Sequence, residues 1–250
     1  MDLFLFYLIL TEDHLMHYYK YQRSVLKEGA IMARNKYPEQ TLEQILVVSS
    51  KLFTEKGFEK TSIQDIIDEL GMSKGAIYHH FKSKEDILDA VMDKQFSYAA
   101  QMLDDLIRNT QASNAREKLV SILEKIVADP DAHSIDGVLS TQIKNPQFVV
   151  TGIQEGVKKD APIIARIMME GKEDGSITTD FPIECAEVFM LLVNIWINPL
   201  LFERKREETV DRLRFLQHMM RVLGADIVSD QLLQKITERH SDIGGYTQDE

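Results

Sequence analysis

Apolar residues return every three or four positions along most of this chain, the period of a helix with one buried face, and no segment alternates convincingly enough to be read as a strand. Leu42, Ile45, Leu46, Ser49, Leu52 and Phe53 form the first stripe, with Thr41 as a candidate N-cap and Gly57 as the stop signal. Ile63, Ile66, Ile67 and Leu70 form a second, opened by Thr61 or Ser62. Ser73 caps a very short third helix through His79. Ser83 with Asp86 three residues on is an acidic variant of the capping box, opening a long fourth helix through Leu88, Val91, Met92, Gln95, Ala99, Met102 and Leu106. Asn114 caps a fifth, bearing Leu119, Ile122, Leu123, Ile126 and Val127, and Asp129-Pro130-Asp131 ends it. Residues 132–179 divide into shorter helices punctuated by Pro146, Pro162, Gly171 and Gly175. Pro182 to Phe202 is apolar almost all round, which predicts a helix covered on every side, by a subunit interface as well as by the core. Glu207 to Leu223 is amphipathic through Val210, Leu213, Met220 and Leu223. The polar tail from His240 is expected to fray. There is no internal repeat, and the expected fold class is all-α.

The segment Thr61–Leu88 carries the chemistry. Two short helices meet at Gly71, which enters the left-handed region without steric cost. Ile66, Ile67, Leu70 and Ile77 fill the inner faces and fix the angle between the helices. Ser73, Lys74, Gly75, Ala76, Tyr78 and His79 remain outside, as donors and small residues. A helix-turn-helix needs this division, because its second helix enters the major groove while the first braces on the backbone. Gly75 and Ala76 allow close approach to base edges, and Ala76 can meet a thymine methyl.

Charge complicates the picture without reversing it. The chain of 250 residues has a net charge of -11, which by itself argues against a nucleic-acid partner. Between Gly71 and Lys84, however, stand Lys74, Lys82 and Lys84 and no carboxylate, so the remainder carries -14. Screening beyond ~10 Å lets such a face act on an acidic body. The single cysteine, Cys185, has no disulfide partner within the chain; a cytoplasmic location is expected, with Cys185 buried in its apolar stretch.

The run GMSKGAIYHHFKSKEDIL at Gly71–Leu88 resembles the AGVSKGTLYHYFKSKEEL-like pattern of the TetR family of bacterial transcriptional regulators, and the resemblance reaches back to about Tyr37. Beyond Leu88 the likeness is one of helix order and length. The resemblance implies that Thr61 starts the brace helix and binds a phosphate. It implies that Ser73, Lys74, Gly75, Ala76 and His79 face the groove and that Tyr78 and Lys84 bind backbone phosphates, Lys84 aided by its helix dipole. Phe81 is a core anchor, and Arg34 and Lys36 are candidates for an arm on the DNA. His80 replaces the family's frequent Tyr, and Ala76 its frequent Thr, which bears on base preference. The family further implies a helical C-terminal region that dimerises and encloses a small-molecule pocket. Phe148, Met168, Met190, Asn194 and Trp196 are conceivable lining residues, and equally ordinary core or interface packing.

The expected organisation follows. Residues 1–32 are an extension outside the globular part. Their opening apolar run is too short to cross a bilayer, and it lacks the basic region and cleavage site of a secretory signal. Lys27-Glu28-Gly29 can be encoded by a purine-rich ribosome-binding sequence at a suitable distance from Met32, so translation is expected to start there; the rival reading is a flexible, disordered extension. A helix-turn-helix domain follows at 33–83, then an effector-binding and dimerisation domain at 84–225, and a helix end with a flexible tail at 226–250. The partners expected are double-stranded operator DNA, a second copy of the chain and a small-molecule effector, with no membrane. No zinc spacing, P-loop, dinucleotide glycine pattern or nucleophile motif is present, so no metal, cofactor or enzymatic activity is expected. The expected function is a homodimeric repressor released from a palindromic operator by its effector. An activator or co-repressor-dependent regulator is one alternative, and a helical interaction protein with an inactive DNA module another.

Overall fold

A computed structural model describes residues 38–133, 136–143 and 146–247, and all regular structure among them is helical. Helix α1 (Pro38–Lys56) begins before Thr41, because proline is tolerated in a first turn where its missing N–H costs nothing. It ends at Gly57, with φ 84°. Helix α2 (Ile63–Leu70) is capped by Ser62, whose hydroxyl accepts from Asp65 N while the Asp65 carboxylate accepts from Ser62 N. Gly71, at φ 63°, ends it in the left-handed conformation. Helix α3 (Lys74–His80) starts on Ser73, and α4 (Lys84–Asn109) on a second capping box, Ser83 with Asp86. At 26 residues α4 is about 39 Å long. Helix α5 (Ala115–Ala128) is capped by Asn114.

Two apolar cores result. In the first, Ile45, Phe53, Ile66, Ile77 and Phe81 pack with Ile87, Leu88 and Val91 from the start of α4. Helix α6 (Asp136–Gln142) belongs here too: Val138 and Leu139 are fully buried and α6 lies on α1. The second core gathers α5 with α8 (Ala161–Asp174), α9 (Pro182–Leu191), α11 (Arg206–Val222) and α12 (Asp230–Asp242). Helix α4 spans both, since Leu103 joins the second core and Met102, Leu106 and Ile107 pack against it. Cys185 is buried in that core.

Three regions depart from the expectation. Pro182–Phe202 is not one helix. A π-helical turn, Leu192–Trp196, follows α9, and a four-residue α10 (Pro199–Phe202) starts afresh. The buried amides explain the break. Asn194 Nδ2 donates to Met190 O (2.9 Å) and Asn198 Nδ2 to Asn194 O (3.2 Å), Asn198 Oδ1 caps Leu200 N, and Pro199 offers no N–H to continue the ladder. Within the single chain the core does not cover all of the segment: Val188 and Phe202 are exposed. Further upstream, α7 (Pro146–Glu155) runs through a second π turn, Gly156–Asp160, directly into α8, and this wide turn accommodates Pro162.

The third departure is the tail, which is packed through Thr247 rather than frayed from His240. Helix α12 buries Leu232, Ile236 and His240; Tyr246 Oη donates to Thr237 O (3.1 Å) and Thr247 N to Arg204 O (3.1 Å). Leu232, Leu233 and Ile236 have helical spacing but make a stripe of barely one turn in otherwise polar sequence, too short to announce a core element.

Burial holds His240 well below its ordinary value of 6.5, and His80 is lowered too, by burial first and by His79 second. Both depressions favour the neutral imidazole. Their contribution is therefore complete above pH 6.5 and lost as pH falls below it. The thermal midpoint should fall between about pH 6.5 and 5, with His240 adding a slope of up to ~1.4 kcal/mol per pH unit. A midpoint that is level or rising across that window contradicts this account.

Candidate nucleic-acid interface

Helix α3 sorts its residues by side. Ile77 is fully buried, and His80 and the following Phe81 are also inside, so this end of the helix is anchored. Ser73, Lys74, Gly75, Tyr78 and His79 are exposed and Ala76 is half-buried on the way out. The outer surface is thus small at Gly75 and Ala76 and carries donors at both ends. Lys74 Nζ stands 5.5 Å from the centre of the Tyr78 ring, so the cation and the phenol form one unit. No heavy atom lies within 4 Å of where a Cβ on Gly75 would sit.

Helix α2, next to this one, carries three carboxylates, and each has a partner. Asp65 is paired with Lys56 (3.0 Å) and Glu69 with Lys51 (2.9 Å), while Asp68 accepts from Gln64. The Ser62 hydroxyl and N–H, with Lys56 after them, hold the Asp65 carboxyl far below the usual carboxylate range. Helix α1 therefore supplies cations to two of the three carboxylates of α2.

Thr61 is a correction. It is 1% exposed, and its hydroxyl points inward, donating to Gly57 O (2.8 Å) and Leu52 O (3.2 Å). A phosphate cannot reach that oxygen. The exposed hydroxyl at the head of α2 belongs to Ser62, and the S-I-Q-D spacing of a capping box carried that signal. Thr61→Val should cost about 1–3 kcal/mol of stability by removing the one hydroxyl proton that the Gly57 and Leu52 carbonyls share, with no change in how DNA binding responds to salt. A flatter salt slope at unchanged stability would restore the surface role.

Lys84 is half-buried. Its Nζ donates to Phe58 O (2.8 Å) and sits 4.2 Å from the Phe58 ring centre, tying the head of α4 to the turn after α1. An ammonium has three donors, so this clasp leaves others for solvent or phosphate. Lys82 is exposed. Arg34 and Lys36 lie outside the described residues, as does the side chain of Phe148. Met168 and Met190 are buried in the second core and Trp196 packs against it half-buried. Met190 and Asn194 line a small crevice together with Gly152 and Gly156.

A buried helix pair joined at a left-handed glycine, with a cationic and small-residue outer face, defines a helix-turn-helix DNA-binding protein with a helical companion region. Residues 45–91 match the family described as bacterial regulatory proteins, tetR family, and residues 142–218 match the tetracyclin repressor-like C-terminal domain. The chain belongs to the TetR family and is a DNA-binding transcriptional regulator. The HTH-type transcriptional repressor KstR2 of Mycolicibacterium smegmatis is 26% identical over 162 residues, 61% of this chain and 75% of that protein. The uncharacterized HTH-type transcriptional regulator YerO of Bacillus subtilis is 56% identical over 46 residues, 18% of this chain and 16% of that one. A transcriptional regulator from Cytophaga hutchinsonii shares the fold at a TM-score of 0.53 and 17% identity, over 82% of this chain and 94% of that chain. No helix among the described residues is long and apolar enough to cross a membrane.

Proposed function

We propose that the protein is a cytoplasmic homodimeric repressor that leaves a pseudo-palindromic operator when a small molecule binds. The observation that carries this reading is the split of α3 into a buried anchor and an exposed, carboxylate-free face. Ser73, Lys74, Gly75, Ala76 and His79 read the groove. Tyr78 and Lys84 hold phosphates, and Ser62 takes the phosphate first assigned to Thr61. The DNA-binding unit is residues 33–83. The effector and dimer unit starts at 84 and runs through α12 instead of stopping at 225.

Dimerisation has a physical motive. Val188 of α9, Phe215 and Val222 of α11 and Leu223 beyond it are exposed, and Trp196 meets Phe215 edge-on at 5.8 Å. Apolar surface gathered on two adjacent helices is covered by a partner in stable soluble proteins. A second copy covers it by the same patch in two-fold symmetry. Binding to a palindrome then requires the two α3 helices about one DNA turn, ~34 Å, apart. Effector control works by population shift, the ligand favouring a spacing of the α3 pair that the operator does not accept. Helix α4 links the two units, and Val138 and Leu139 of α6 sit in the DNA unit's core, so both helices can transmit the change.

Footprinting on DNA upstream of the protein's own gene tests this. Two protected half-sites one turn apart, with reporter output rising when the gene is deleted, are expected. Output that falls on deletion makes the protein an activator, and absence of any protection makes the DNA module inactive.

A further inference from the structure

A wide groove opens between α4 and α5 on the second unit. Tyr98, Met102 and Leu106, one helical turn apart, form an apolar floor, and the space holds about 510 Å³. Small-molecule sites typically span ~300–1,000 Å³. We propose that this groove binds a small organic monocation with an apolar body. The inference rests on the effector-responsive reading only where it concerns regulation; binding itself stands on the groove.

Charge selects the ligand class. Asp105 on the rim is exposed and has no ion-pair partner among the described residues. Asp129 closes the other end, where its Oδ2 accepts from Tyr98 Oη at 3.4 Å. Asp131 stands close enough to act on the Tyr98 phenol, whose ionisation burial and then the two aspartates oppose. The one cation in the groove, Lys125, directs its Nζ to Thr110 Oγ1 (3.2 Å). Two carboxylates, Asp105 and Asp129, therefore line the groove beside one ammonium that is turned aside. A ligand cation can settle between the Asp105 carboxylate and the exposed face of Tyr98, with its apolar body along Met102 and Leu106.

The position also explains how occupancy reaches the DNA unit. Asp129 Oδ1 accepts from Asp131 N (2.8 Å) and Ala132 N (3.0 Å) and so builds the turn that leads toward α6. Gln95 of α4 donates to Asp131 O in the same turn. A ligand that engages Asp129 or Tyr98 acts on the turn before α6, and α6 braces α1.

Isothermal titration of the full chain with benzyltriethylammonium tests the site. One saturable site per chain is expected. The uncharged analogue of the same shape, and phenylbutyrate, should each bind at least about tenfold more weakly. Asp105→Asn should weaken binding about fivefold and Tyr98→Leu about tenfold, both with unchanged circular dichroism. Heat that fails to saturate in the millimolar range, equal binding of the neutral or anionic analogue, or unaltered affinity in Asp105→Asn overturns the proposal. Operator affinity measured alongside bears only on regulation. A cation that binds and leaves operator affinity unchanged keeps the site and removes its effector role, so the two failures are told apart.

Discussion

Gly75→Gln should give a protein that is at least as stable as the wild type and unable to hold its operator. Folding and DNA binding make opposite demands on one atom here. Gly75 lies inside α3 at an ordinary helical conformation, and a Cβ there meets nothing within 4 Å. Replacing a helical glycine by a better helix former should add about 0.5–1 kcal/mol. On DNA the same side chain would stand where the backbone has to approach the bases. Loss of that approach, and of the contacts beside it, should weaken operator binding by about 100-fold or more, ~2.7 kcal/mol. Unfolding curves and fluorescence anisotropy on the same preparation decide it. A stable variant with wild-type affinity means that Gly75 does not face the groove.

The second large effect concerns the C-terminal fold. Gly224 follows α11 at φ 78°, and its carbonyl accepts from the N–H groups of Thr178 and Thr179. A Cβ there would stand 2.5 Å from Thr178 Oγ1 and 2.8 Å from Thr179 N. A backbone nitrogen cannot move aside as the end of a flexible side chain can. Gly224→Ala should therefore cost about 3 kcal/mol or more, from the left-handed conformation and the clash together. Gly175 provides the control. It too has positive φ, 79°, but its Cβ position is empty, so Gly175→Ala should lose only about 1–2 kcal/mol. Equal denaturation midpoints for the two variants contradict the close approach at Gly224.

These two glycines also mark what the sequence could tell. The DNA module was legible because its signals are local. Gly71, the Ser73 cap, the Ser83–Asp86 box and the stripe of Ile66, Ile67, Leu70 and Ile77 each act within a few residues. Thr61 and Ser62 were ambiguous for the same reason, since neighbouring hydroxyls offer the same chemistry and only the fold decides which one turns inward. Gly224 gave no such signal, because its constraint comes from residues far away in the chain, Thr178 and Thr179. The broken course of Pro182–Phe202 depended on side-chain amides competing with the backbone, a contest that apolar period alone does not register. Helix α12 lay hidden because its apolar positions are few and its main partners, on α5, are about a hundred residues away in sequence.

The central claim is that a small, lysine-bearing surface reads duplex DNA on a chain whose net charge is -11. Anisotropy titration of the intact protein with a labelled fragment from its own upstream region, across a range of salt and without added ligand, tests it most directly. Saturable binding that tightens as salt is diluted is expected, with a log–log slope of about -0.9 for each phosphate engaged. Failure to bind that fragment in the most dilute buffer would contradict it.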